Sequence, residues 1–402
     1  MSELAINGGK PVRDTEFKKF NTLGIEEKNA VASVMDSGIL SAYFGKSGEG
    51  FLGGDMVQKF ERDWAKYFNV KHAITVNSWT SGLVTMVSAL DLPKGEIITS
   101  SWTMCATAAA IIHAGHTPIF ADIDPVDFCL DPIDVEKKIT SKTRALLIVD
   151  IHGGSAQMEE LLQVAQKHNL KVICDSAQSP GGKYKNKFTG TLGDIGGFSL
   201  NYHKHIHTGE GGVIVTDSDE LAFKCQLIRN HAEAYVPNQH QEKLIGHNFR
   251  LGEIECAIGI EQLKKLDSIL IERKKIANSV IELISKYDFI SVPEHKKDID
   301  HVYYVIPVIY KSPNSLFNRD WFVSALQAEG LKNVYGGFAN IHELPYFKKN
   351  FPTNGPLLIA EKMHQMDFIC FQNCMYQLSD ETEKKQFHII LEKVLNYVSK
   401  NR

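Results

Sequence analysis

Phe198-Ser199-Leu200-Asn201-Tyr202-His203-Lys204-His205-Ile206-His207-Thr208-Gly209-Glu210-Gly211-Gly212 is the stretch from which the rest of the chain can be read. An apolar run, Ile195 to Leu200, reads as a strand that ends in a polar segment carrying one lysine. A Gly-Glu-Gly-Gly turn follows, and Val213 to Thr216 reads as a second strand. Two strands then present a single amine on a loop, and the glycines let the backbone fold close to whatever that amine holds. On this stretch alone two readings of Lys204 stay open. It is a solvated surface cation, the usual fate of lysine, or an amine kept partly out of water so that it can form a Schiff base with a carbonyl.

Upstream, strand-like runs occur at His72 to Val76, Glu96 to Thr99, Pro118 to Asp122, Ala145 to Asp150 and Lys171 to Cys174. Helix-like segments at 80–90, 104–114, 132–139 and 157–168 separate them. Largely apolar strands alternating with helices predict a parallel sheet covered on both faces, with ligands at the carboxyl ends of the strands. The pair flanking Lys204 extends this sheet up to a helix at Leu221 to Asn230. Before the sheet lie an extended arm (1–23), a short helix from Glu26 to Met35, a glycine- and aromatic-rich loop (Ser37 to Gly54), and a helical pattern on Met56, Phe60, Trp64 and Phe68. A long helical pattern runs from Leu251 to about Tyr287 and predicts a bridge between two domains. Beyond it come strand-like segments at Phe289 to Val292 and Val302 to Tyr310, a helix at 319–329, and aromatic-rich loops. The expected division is a large domain at 1–250 and a bridging helix with a small α+β domain at 251–402.

At 402 residues, one large domain plus a smaller one is the default. A net charge of −4 gives no electrostatic reason to expect nucleic acid, and no apolar run is long enough to span a bilayer. The N-terminus lacks the layout of a signal peptide. Seven cysteines, mostly scattered through apolar segments, suit reduced core thiols and predict a cytoplasmic protein. Cys370 and Cys374 form the only close pair and read as packing residues.

Chemistry is expected at the strand ends. The first strand runs into Asn77-Ser78-Trp79-Thr80-Ser81-Gly82, where a helix begins; free amides, hydroxyls and the positive helix end make an anion cradle, or else Ser78 or Thr80 is a plain cap. The strand Val172-Ile173-Cys174 ends in Asp175-Ser176-Ala177-Gln178. A carboxylate emerging from a buried strand needs a cationic or donor partner, unless it is a structural cap. A phosphate cradle, a buried carboxylate and a loop lysine together match the needs of pyridoxal 5′-phosphate.

These residues resemble the sugar aminotransferases of the DegT/DnrJ/StrS family, fold type I enzymes dependent on pyridoxal phosphate. The similarity runs from Gly8-Gly9-Lys10-Pro11-Val12-Arg13 to the helix around Leu266, with a looser match beyond. Its most specific parts are Asp175-Ser176-Ala177-Gln178, the block from Phe198-Ser199 through Lys204 to Gly212, Arg229-Asn230-His231, and Gly246-His247-Asn248-Phe249-Arg250-Leu251. The resemblance implies an α/β, aspartate-aminotransferase-like fold with a mostly parallel seven-stranded sheet and a smaller α+β C-terminal domain. It implies that Lys204 holds the cofactor as a Schiff base and shuttles a proton. Asp175 keeps the pyridine nitrogen protonated, and Gln178 lies by the phenolic oxygen. Thr80, the Trp79 amide and Ser199 hold the phosphate. Asn248 reaches the phosphate of a neighbouring subunit, which implies a homodimer with shared active sites. Where the family stacks an aromatic on the ring, Met104 stands in Trp102-Thr103-Met104-Cys105, and either its thioether or Trp102 would cover the ring. Lysine at position 204, where ketosugar-dehydrating relatives carry histidine, points to transamination.

The resemblance thus implies transfer of an amino group from glutamate or glutamine to a keto sugar, linked to a nucleotide, in making capsule, O-antigen or antibiotic sugars. Lysine in this role requires a lowered pKa. Two other readings are a transaminase of a cyclitol or a small phosphorylated ketone, and a cofactor-binding regulator without turnover, against which the intact Lys204–Asp175 pair speaks. His203, His205 and His207 alternate around the lysine, but with no carboxylate at ligand spacing no metal site is expected. Tyr303 and Phe347 read as core, and the loops 38–54, 232–246 and 335–347 as candidate substrate walls.

Overall fold

Apolar runs bounded by turn residues become strands in the computed structural model, which describes residues 3–45, 48–232, 244–294, 297–338, 340–372 and 375–402. Helices α1 (Ile25–Ser37) and α2 (Asp55–Phe68) precede the sheet. Strands β1 (His72–Val76), β2 (Glu96–Ser100), β3 (Thr117–Ala121), β4 (Thr143–Val149) and β5 (Lys171–Asp175) then follow, connected through α3 (Trp79–Ala89), α4 (Cys105–His113), α5 (Pro132–Lys138) and α6 (Met158–Lys167). After a small hairpin, β6 (Lys183–Tyr184) and β7 (Lys187–Phe188), come β8 (Ile195–Ser199) and β9 (Gly212–Thr216). The sheet has seven strands in the order β1-β9-β8-β5-β4-β2-β3. Neighbours from β8 to β3 run parallel, whereas β9 is antiparallel to both β8 and β1. Ile98, Leu146, Ile148 and Ile173 are fully buried, as expected of strands covered on both faces.

Two helices follow, α7 (Asp219–Arg229) and the 32-residue α8 (Glu253–Ile284). The first half of α8 buries Cys256, Ile260, Leu263 and Leu266 with Phe60, Trp64 and Val213 of the large sheet's flank. Its second half buries Ile276, Val280 and Ile284 in a separate C-terminal core with Ile306, Val308 and Phe322. One continuous helix therefore belongs to both cores. The C-terminal part holds β10 (Ile290–Ser291), β11 (Ile299–Asp300), β12 (Ile306–Tyr310), β13 (Val334–Gly336) and β14 (Phe368–Phe371). Four of them form an antiparallel sheet in the order β10-β12-β14-β13, and β11 pairs with β6.

The C-terminal region departs from the sequence reading in several places, and β13 and β14 already stand where loops were expected. Only Ile306–Tyr310 of the expected 302–310 strand pairs in the sheet; Val302 and Val305 instead donate to the carbonyls of Gly153 and His152. A 21-residue helix, Glu381–Asn401, closes the chain where loops were expected. Its signal was present: Phe387, Ile390, Leu391, Val394, Leu395 and Val398 repeat at helical spacing and are buried, behind an Asp380 cap that accepts from the Thr382 and Glu383 amides. The N-terminal arm lies against this region. Leu4 and Phe17 enter the C-terminal core, and the buried Glu329 carboxylate accepts from the Ala5 amide at 2.9 Å and the Val12 amide at 3.0 Å.

Among the described residues no helix is long and apolar enough to cross a membrane. Cys370 is buried as expected; Cys374 and most of the 232–246 loop lie outside the described residues.

Arg229, fully buried at the end of α7, ties three elements together. Its Nη1 donates to Glu61 Oε1 of α2 and, at 3.1 Å, to the Thr75 carbonyl of β1. The same Glu61 oxygen accepts from Thr75 N and Oγ1 at 2.8 and 2.9 Å. Removing one member leaves the other as an uncompensated buried charge. Glu61→Ala is expected to lower stability by about 3–5 kcal/mol in urea unfolding; a change under about 1 kcal/mol would show the pair to be dispensable.

Candidate active site

β1, β2, β4, β5 and β8 all end at one edge of the large sheet, and the candidate residues of the sequence stand there. Asp175, the last residue of β5, is 3 % exposed. Its Oδ1 accepts from the Trp79 indole Nε1 at 2.7 Å and the Ala177 amide at 3.2 Å; its Oδ2 accepts from Thr107 Oγ1 of α4 at 3.0 Å. Burial raises the Asp175 pKa, while these donors and the charge of Lys204 oppose that rise. The carboxylate thus has the donor partners that its position on a buried strand demanded.

Lys204 is 7 % exposed. Its loop leaves the sheet where Ser199 pairs with Gly212 and is cinched by Leu200 N to Gly211 O at 2.9 Å and Thr208 N to Leu200 O at 3.0 Å. The Lys204 ammonium sits 4.5 Å from the centroid of the Tyr304 ring, contributed by the C-terminal region. The neighbouring histidines are held neutral. Burial and the Lys204 charge push His203 down to about 4, and burial pushes His205 well below its usual range. His205 Nε2 faces the Val302 carbonyl at 2.9 Å, so that nitrogen carries the hydrogen.

At the end of β1, Ser78 caps α3, its Oγ accepting from the Ser81 amide at 3.1 Å. Trp79 and Thr80 are the first two residues of the helix, where N–H groups have no intrahelical acceptor. The Thr80 side chain is exposed. A Cβ on Gly212 would come within 3.0 Å of the Trp79 Cα, so the β8–β9 pair that carries Ser199 abuts this helix start. Gln178 is buried, its Oε1 accepting from the His152 amide at 2.8 Å. Asn248 is exposed beside the cradle, its carbonyl accepting from Asn77 Nδ2 at 3.3 Å. Met104, the residue preceding α4, is 61 % exposed, whereas Trp102 is fully buried among Phe128, Phe338 and Phe368 and donates to His152 Nε2 at 3.1 Å. Of the two residues considered for covering a cofactor ring, only Met104 is on the open side.

Three contributions escaped the sequence reading: the Trp79 indole, the Thr107 hydroxyl and the Tyr304 ring. Thr107 and Trp79 carry no local signal of their target, 68 and 96 residues away. Among the described residues, the one grouping of possible metal ligands is His342, Glu343 and Glu361, and it includes none of the three histidines around Lys204.

An amine, a buried carboxylate and an open helix start at the carboxyl edge of a mostly parallel sheet define an aminotransferase class of architecture. Residues 27–385 match the DegT/DnrJ/EryC1/StrS aminotransferase family, and the chain belongs to it. It is 32 % identical over 339 residues to the spore coat polysaccharide biosynthesis protein SpsC of Bacillus subtilis, covering 82 % of this chain and 84 % of that one. It is 33 % identical over 299 residues to the GDP-perosamine synthase of Escherichia coli O157:H7, covering 74 % and 80 %. The structure of Helicobacter pylori PseC, an aminotransferase involved in pseudoaminic acid biosynthesis, matches with a TM-score of 0.83 at 28 % identity, covering 95 % of this chain and 100 % of that one.

A second carboxylate lies behind the site. Asp150, fully buried, accepts from Ser176 Oγ at 2.5 Å and the Ala156 amide at 3.0 Å, and burial pushes its pKa up to about 6. Because the folded state binds this proton more tightly than the unfolded chain, Asp150 favours folding below about pH 6 and that contribution fades as pH rises through it. Stability of the wild type relative to Asp150→Asn is expected to fall by about 1 kcal/mol between pH 5 and pH 7 in urea unfolding; a pH-independent difference would contradict the assigned burial of charge.

Proposed function

We propose that this transaminase moves an amino group from glutamate or glutamine to a keto sugar carried on a nucleotide, in building a polysaccharide or antibiotic sugar, with pyridoxal 5′-phosphate as cofactor. The observation that carries the reading is the convergence of Lys204, Asp175 and the start of α3 on one sheet edge. The residues fit the cofactor by their chemistry. The Trp79 and Thr80 amides with the Thr80 and Ser199 hydroxyls would hold a phosphate, where the helix end is positive. Asp175 would keep a proton on the ring nitrogen, Gln178 would stand by the phenolic oxygen, and Met104 would cover the ring face. When bound, the cofactor supplies an aldehyde that takes up amines and a ring that stores the electron pair released at the substrate carbon. Lys204 would hold that aldehyde through Nζ and, once displaced, would accept and return a proton there. His203, neutral, adds no charge beside this amine. The nucleotide-linked character of the acceptor rests on the GDP-perosamine synthase likeness.

The same reading takes the active unit as a homodimer in which Asn248 serves the neighbouring site. Support comes from an exposed apolar set on α1 and the loop after it: Ile25, Met35, Ile39, Leu40 and Phe44 are 47–62 % exposed, more than an isolated chain usually leaves in one region.

Purified protein with cofactor is expected to be yellow and to bleach on addition of glutamate or glutamine. Lys204→Ala should remain folded by circular dichroism and lose turnover by three orders of magnitude or more. Retained transamination in that variant would remove the assignment.

A further inference from the structure

Asp175 is gripped by a side chain that the cofactor reading uses only through its backbone. Trp79 is 7 % exposed, and its indole occupies a slot left open by glycines on three elements. A Cβ on Gly82 of α3 would come within 2.9 Å of Trp79 Cε3, one on Gly197 of β8 within 2.7 Å of Cη2, and one on Gly212 of β9 within 3.0 Å of Cε3. Any side chain at these positions would displace the ring. The slot orients Nε1 so that it meets Asp175 Oδ1 at 2.7 Å, while Thr107 takes the other oxygen at 3.0 Å.

We infer that Trp79 is a positioning residue for Asp175, its indole N–H fixing one carboxylate oxygen so that the other face of the group is reserved for the pyridine nitrogen of a bound cofactor. The inference rests on the proposed cofactor reading. An indole N–H can donate and cannot accept, so it favours the anionic carboxylate over the acid. A hydroxyl, such as Thr107 Oγ1, serves either form by rotating. Two charged groups bear on Asp175: Asp150, just past the end of the adjoining β4, works against its charge, and Lys204 on the loop after β8 works for it. Beside these opposed neighbours, the Trp79 N–H is the foremost of the three donors that oppose the effect of burial on Asp175. Hydrogen bonds to a charged group are among the stronger ones, so losing this one should be measurable.

The test replaces the N–H alone. Trp79→Phe removes the donor but leaves a void among the three glycines; site-specific incorporation of benzothienylalanine at position 79, with sulfur in place of the N–H, keeps the ring shape. Pyridoxal 5′-phosphate affinity, read by absorbance titration from pH 5 to 9, is expected to weaken about ten-fold in the isostere. The pH at which affinity is half lost on acidification should move up by about one unit, and the unfolding temperature of the cofactor-free protein should stay within a few degrees of wild type. In an Asp175→Asn background the isostere should add no further weakening. Wild-type affinity and pH profile in the isostere would overturn the inference, as would an equal loss in the Asp175→Asn background, which marks packing alone. Failure of the wild-type protein itself to bind pyridoxal 5′-phosphate would overturn the cofactor reading and this inference with it.

Discussion

A carboxylate wholly removed from water has to be met by donors, and the burial of Asp175 at the end of β5 imposes that demand on everything around it. Two of the donors come from the first turns of α3 and α4, so both helices must begin close to the ends of β1 and β2. The third comes from the Ala177 amide of its own turn. Lys204 then brings a favourable charge from a loop that only the β8–β9 reversal can place there. The single antiparallel strand of the large sheet is what returns the chain beside β1 and sets Gly212 against Trp79.

Much of this was legible in the chain. Alternating apolar runs and helical segments located β1–β5 and the helices between them to within two residues, because a parallel sheet buries its strands on both faces and leaves long apolar runs. Lys204, Asp175 and the α3 start stood out as polar groups at the ends of such runs. The strand order was not legible, since nothing in a strand's own residues names its neighbour. The C-terminal helix was legible too, in the helical spacing of Phe387, Ile390, Leu391, Val394, Leu395 and Val398. Tyr304, Thr107 and the Trp79 indole were invisible for another reason: each acts on a partner distant in sequence, and only packing brings them within reach.

The motifs behind the family resemblance divide between chemistry and architecture. Arg229 is a buried strut among α2, α7 and β1. Asn230 Nδ2 donates to the carbonyls of Phe44 and Phe51 at 2.7 and 3.2 Å, and its Oδ1 accepts from Arg250 Nε at 2.8 Å. Together they anchor Phe44 and Phe51 and the segment carrying Asn248. Motif residues that never face a ligand can thus fix the walls of a pocket, which is why sequence likeness extends beyond the reacting groups.

The cinched base of the Lys204 loop has a kinetic meaning. Paired strands and two backbone bonds tether the amine, so that in the proposed reaction it would stay beside the carbonyl while another amine stood in its place. Its local abundance stays far above that of any free competitor, as intramolecular partners held in register do. Under the proposed function, product release would then fall to a resident neighbour, with no need to wait for a diffusing one.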